Sequence, residues 1–221
     1  MLSAPRGSLG RLLGVAVLIG TAGSAGASER ADRGISMSAW AGAALDRSVA
    51  AARTGQAVHD AAAVVGATTV GNIEWLAMGG SVDATPGTLG NGRLSLSLLL
   101  GYQAQIAQTR LQLLAEGGNH RFSDVGGIVS APQLGGDTWL PFAGVRVSAA
   151  RTVPAHGLLE VGLSLFARHD IGQKTVTSVG GVMGDETRTD YRVGGYMAGL
   201  ALQVGLRLDS PHPWNQGFVG E

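Results

Sequence analysis

The chain has no cysteine, so a disulfide framework and an acylated lipoprotein terminus are both closed to it. It has no excess of charge either: 16 basic and 16 acidic side chains cancel, leaving no electrostatic footprint for nucleic acid. Beyond its N-terminal apolar run no stretch approaches about 18 apolar residues, so no later transmembrane helix is present. No segment recurs at a fixed period, which excludes a solenoid or a propeller. What is present is glycine, 36 of 221 residues, and a positive mean hydropathy of +0.19. High apolar content without helical spans points to strands.

The start carries export chemistry. Arg6 and Arg11 precede LLGVAVLIG, and AGA at 25–27 offers small residues for cleavage after Ala27. The expected organisation is a signal at 1–27, a short lead at 28–33, a barrel at 34–208 and a periplasmic tail at 209–221. Loss of the signal leaves 14 basic against 16 acidic side chains.

Period-two alternation then dominates. In GRLSLSLLLGYQAQ (92–105), Leu94, Leu96, Leu98, Leu100 and Tyr102 face one side, with Ser95, Ser97, Gly101 and Gln103 on the other. The same pattern marks strands at 110–122, 138–151, 158–170 and 195–208. Three further strands are expected at about 34–45, 58–69 and 73–82, where the alanine-rich stretch also permits helix. The connections alternate long and short: 46–57, 70–72, 83–92, 106–108, 123–137, 153–156 and 171–188. An even strand count with brief turns at one pole and long loops at the other predicts an all-β, eight-stranded, antiparallel up-and-down transmembrane β-barrel.

The polar parity explains why the leucines face outward. It collects Glu74, Gln103, Arg110, Gln112, Glu116, Arg146, Glu160, Arg168, Gln203 and Arg207. A dry sandwich core would pay several kcal/mol for each unpaired charge; a closed barrel lets them pair inside. An arginine at mid-depth on the lipid face would cost about 2–4 kcal/mol, and the clear strands place none there. Arg146 is expected to pair with Glu116 and Glu160 on the flanking strands. Eight strands enclose a space that side chains fill, so the expected interior is a packed polar network rather than a pore.

These features resemble the small eight-stranded outer-membrane β-barrel proteins, such as the transmembrane domain of outer membrane protein A. The resemblance covers about residues 34–208 and is architectural. It implies an outer-membrane location, contact with outer-membrane lipid and lipopolysaccharide, insertion by the outer-membrane assembly machinery, and an external partner for the loops. The chain departs from the pattern at its end: the last strand is followed by DSPHPWNQGFVGE, whose prolines bar a terminal strand aromatic.

Candidate chemistry is confined to the long-loop pole, at His59, His120, Ser123, Asp124, His169 and Asp170. Hydroxyl, imidazole and carboxylate are the components of acyl transfer. Parity, however, sets Ser123 and His120 on opposite faces, and a strand separates Ser123 from His169. The histidine spacing matches no metal pattern, and GTLGNGR lacks the lysine of a phosphate-binding loop, so no cofactor is expected. Trp75, Tyr102, Trp139 and Tyr196 fall where interfacial girdles belong. The expected function is a non-enzymatic scaffold or surface protein. The alternatives are a lipid A or phospholipid acyl-modifying barrel enzyme, and a soluble periplasmic barrel that binds a small apolar ligand with its leucines inside.

Overall fold

The computed structural model describes residues 33–57, 61–85, 92–106, 108–123, 138–153, 158–180 and 187–209. Eight long strands form a closed barrel: β1 (Arg33–Asp46), β3 (Ala61–Ile73), β4 (Leu76–Thr85), β5 (Gly92–Ile106), β6 (Thr109–Ser123), β7 (Thr138–Thr152), β8 (Leu159–Asp170) and β11 (Tyr196–Asp209). Each pairs antiparallel with the next, and β11 returns to β1 from Gly34↔Asp209 to Asp46↔Met197. Closure leaves no unpaired edge, the condition for strands to cross a bilayer.

Outside the barrel, β2 (Val49–Ala51), β9 (Lys174–Gly180) and β10 (Thr187–Val193) build a three-stranded sheet in the order β2-β10-β9. Both segments that supply it, 46–57 and 171–188, were expected to be loops. β9 and β10 extend the β8–β11 hairpin outward, and β2 adds to it through Val49↔Val193 and Ala51↔Tyr191.

Glycine permits the tight curvature of so small a ring, and every barrel strand has at least one on its inward parity. At Gly118 a Cβ would fall on the Leu96 carbonyl of β5, so the walls approach there as only glycine allows.

The β3–β4 hairpin differs from expectation. β3 runs on to Ile73, and the turn is Glu74–Trp75 rather than 70–72. Glu74, expected in the interior network, is exposed in that turn with φ 56°. The local pattern NIEW reads equally well as strand; the left-handed backbone of Glu74 ends it. Its carboxylate therefore meets solvent at the short-turn pole.

The shell is inverted relative to a soluble protein. Leu98 and Leu202 are 77% and 67% exposed on the outer face, whereas Glu116, Arg146, Glu160 and Arg168 are each 3% exposed within. Leucine outside and charge inside is the polarity of a transmembrane barrel. Aromatics lie at both ends of the apolar belt: Trp75 stacks on Tyr102 with centroids 5.1 Å apart at the short-turn pole, and Trp139 and Tyr196 stand at the loop-pole starts of β7 and β11. Among the described residues no helix is long and apolar enough to cross a membrane; the crossing elements are strands.

Candidate functional site: a plugged lumen under a capped pole

The centre of the lumen is occupied by one guanidinium. Arg168 donates from Nη1 and Nη2 to Asp83 at 2.8 and 2.7 Å, and from Nε and Nη2 to Glu116 at 3.0 and 2.7 Å. Glu116 and Arg168 can meet because both pair in register with Gly144, which has no side chain to hold them apart. A Cβ there would come within 2.9 Å of Arg168 Cγ. Ser97 Oγ donates to Glu116 at 2.7 Å, and Arg146 Nη2 approaches the same oxygen at 3.4 Å. Aromatic rings complete the layer: Arg146 lies 4.7 Å from the Trp40 ring centroid, and Arg168 5.1 Å from that of Phe166. Charges removed from water are thus matched by opposite charge, hydrogen bonds and ring faces.

A second polar layer lies toward the short turns. Arg110 grips Glu160 through Nε at 3.2 Å and through Nη2, and donates from Nη1 to Ser36 Oγ at 2.9 Å. Arg207 donates to Gln105 at 2.8 Å and stands 4.0 Å from Glu160. Gln112 donates to Gln103 and accepts from Ser148, both at 3.0 Å, and Gln203 is buried at the same end. The opening bordered by Ser36, Arg110, Gln112 and Arg146 measures about 10 Å³, room for one water at most.

The expected pairing of Arg146 with Glu160 is not found. Glu160 pairs in register with Thr152, whereas Arg146 pairs with Phe166, so strand stagger puts Glu160 a layer lower, within reach of Arg110. Two interior residues were missed: Asp83, assigned to the connection 83–92, which lies at the centre of the lumen, and Arg93, placed in the strand 92–105 but not counted among the inward charges, which lies at the loop pole. Ala77, Gly79, Ser81, Asp83 and Thr85 form the inward parity of β4, opposite to the parity that an inward Glu74 implies.

At the loop pole the interior closes under a cap. Arg93 binds Asp46 at 3.2 Å, donates to Ser48 and Thr85 at 3.2 and 3.0 Å, and contacts the Met197 sulfur. His120 Nδ1 pairs with Asp170 Oδ1 at 2.6 Å, and its ring stacks on Phe142 at 3.9 Å. Asp170 Oδ2 accepts from the Gly195 amide at 3.0 Å, tying the β10–β11 junction to the barrel wall. Above, Phe122, Leu140, Val176 and Val193 form an apolar cluster that joins the small sheet to the barrel mouth.

Of the three loop-pole candidates whose side chains are described, His120, His169 and Asp170, the structure brings together His120 and Asp170. His169 points outward and is exposed. His59, Asp124 and the side chain of Ser123 lie outside the described residues. Ser95, not singled out from sequence, stands in register with His120. Ser95 Oγ and His120 Nε2 are not hydrogen-bonded to each other. Both are sealed beneath the cap, with Ser95 fully buried. Among the described residues no group of His, Asp or Glu is placed to hold a metal.

An eight-stranded antiparallel barrel with an apolar outside and a polar inside has the architecture of an outer-membrane β-barrel. No protein-family model matches the chain, and no curated protein matches it. Solved structures similar to it include Neisserial surface protein A (12% identity, 78% of this chain and 96% of that one, TM-score 0.48). They also include Ail, the attachment invasion locus protein of Yersinia pestis (13% identity, 80% and 98%, TM-score 0.43). A third is the outer membrane protein AlkL (12% identity, 95% and 97%, TM-score 0.36). These are likenesses of fold.

Proposed function

We propose that this chain is an outer-membrane surface protein whose barrel is a non-conducting, non-enzymatic anchor for the sheet and loops at its long-loop pole. The observation that carries the reading is the bridge from Arg168 to Asp83 and Glu116, which fills the lumen with direct contacts. Among the described residues, a lumen filled in this way leaves no water column for solutes and no cavity for a ligand at its centre. The soluble ligand-binding alternative would need leucines inside, and they are outside. The acyl-modifying alternative would need a reachable nucleophile, and Ser95 is enclosed.

Two measurements test the anchor reading. Because the chain has no native cysteine, a single Arg53→Cys in the turn after β2 gives a unique label site. An impermeant maleimide added to intact cells should label it. Purified protein in phospholipid vesicles should pass no more ion current or small sugar than protein-free vesicles, and should release no fatty acid from them. Steady conductance would restore a channel, and fatty acid release would restore the enzyme.

A further inference from the structure

In the central ion layer one strong donor is left over. Arg146 sets its guanidinium against the Trp40 ring and points Nη2 at Glu116 at 3.4 Å, whereas its Nε–H, on a buried side chain, meets no acceptor among the described residues. Its neighbours are better served: the Nε–H groups of Arg168 and Arg110 each donate to a carboxylate, at 3.0 and 3.2 Å. A buried donor left unmet is costly, so something beside Arg146 should accept from it. What lies beside it is the small opening of about 10 Å³, bordered also by Ser36 of β1, Thr68 of β3, Arg110 of β6 and Ser148 of β7. In the ring β3 faces β7 and β1 faces β6, so the opening lies between opposite walls.

The lining selects the occupant. Two guanidiniums and, among the described residues, no carboxylate border the opening, which disfavours a cation. The hydroxyl groups disfavour an anion. Ser36 Oγ donates to the Val70 carbonyl at 3.3 Å and Ser148 Oγ donates to Gln112 at 3.0 Å, so their hydrogens are committed and lone pairs remain. Thr68 Oγ1 accepts from Trp40 Nε1–H at 3.0 Å and keeps a lone pair as well. A free N–H beside free hydroxyl lone pairs calls for a ligand that both accepts and donates.

We propose that this opening is the binding site of a single internal water, which accepts from Arg146 Nε–H and donates to the hydroxyl oxygens of Ser148 and Thr68. The space admits one such molecule and supplies the two to four polar partners a buried water needs. The water ties the central ion layer to the polar layer below it and joins β7 to the wall it faces. The inference rests on the non-conducting reading above and deepens it: a water with three protein partners in a space for one is a fixed part of the plug, not a link in a column.

The test is solid-state NMR of the full-length protein in phospholipid vesicles, labelled with ¹⁵N-arginine, reading magnetisation transfer from water to each guanidinium. Arg146 Nε–H should receive it, and Arg168 Nε–H, bonded to Glu116, should not. After exchange into D₂O the Arg146 Nε–H signal should outlast that of Arg151, which is exposed at the short-turn pole. Ser148→Thr keeps the hydroxyl and adds a methyl group to the opening, so it should abolish the transfer at Arg146; Leu98→Ile, on the outer face, should leave it unchanged. Each variant is first checked for a heat-sensitive folded band on a detergent gel. Absence of transfer to Arg146 in folded wild type, transfer undiminished in folded Ser148→Thr, or saturable loss of the water signal on adding bromide overturns the site and leaves the anchor reading intact. Deuteration of Arg146 as fast as Arg151, without ion current across the vesicles, overturns the fixed water. The same fast deuteration accompanied by current overturns the non-conducting reading itself.

Discussion

Arg168 and Asp83 stand on opposite walls of the barrel, four strands apart in a ring of eight, and the guanidinium crosses the lumen to bond both carboxylate oxygens at 2.8 and 2.7 Å. Other interior arginines also reach the facing wall: Arg110 on β6 bonds Ser36 on β1, and Arg207 on β11 bonds Gln105 on β5. The interior is thus cross-braced by long, always-charged side chains rather than filled by a conventional apolar core.

The central brace should be unequal in its parts. Arg168→Met leaves two buried carboxylates short of their main cation and is expected to destabilise the barrel by about 3–5 kcal/mol. Asp83→Asn keeps an acceptor and leaves Glu116 to neutralise Arg168, so about 1.5–3 kcal/mol is expected. Urea titration of vesicle-embedded protein measures both. Equal costs, or costs under about 1 kcal/mol, would contradict the brace.

Partner choice is tested by two double-mutant cycles. Arg110→Met with Glu160→Gln should cost clearly less together than the sum of the single changes, because the residues bond directly. Arg146→Met with Glu160→Gln should be additive within about 0.5 kcal/mol, since they occupy different layers. The opposite result would restore the pairing expected from sequence.

Gly144 separates Glu116 from Arg168 in register, so its missing side chain is part of the ion-pair geometry. Gly144→Val would press on Arg168 Cγ and the Ala167 carbonyl, and a loss of about 1–3 kcal/mol is expected. Gly117→Val, facing outward into open space, is the matched control and should be close to neutral in the same unfolding measurement.

Lipid-face polarity has a direct test at Leu98, on the outer face of β5. Leu98→Arg should cost about 2–4 kcal/mol of insertion free energy near the midplane. Leu98→Ile should insert normally. Insertion is followed by the heat-sensitive gel band in vesicles, and an undisturbed Leu98→Arg would mean that this face meets water.

The cap should open without the barrel. Val193→Asp places a charge in the buried cluster of Phe122, Leu140 and Val176, which should loosen the small sheet. Limited proteolysis is expected to cut the β9–β10 region of this variant rapidly while the barrel core stays resistant. Global unfolding instead would show that the cap is part of the barrel's own cooperative unit.

The sequence by itself determined which face of each clear strand is polar. Parity assigns a side to every residue before any neighbour is known, so the outward leucines and the inward Arg110, Glu116 and Arg168 were legible from local alternation. Only the tertiary structure decided which of those charges meet. Pairing across the lumen depends on strand stagger, which puts Glu116 level with Arg168 across Gly144 and drops Glu160 to Arg110. It also depends on which strands end up diametrically opposed, a property of closure that no local window contains. Glu74 was misplaced because the end of β3 is set by one left-handed residue, not by hydrophobic pattern. The cap was invisible for a related reason: β2 pairs with β10 through Val49↔Val193, a contact between remote segments whose own alternation is too short to declare itself.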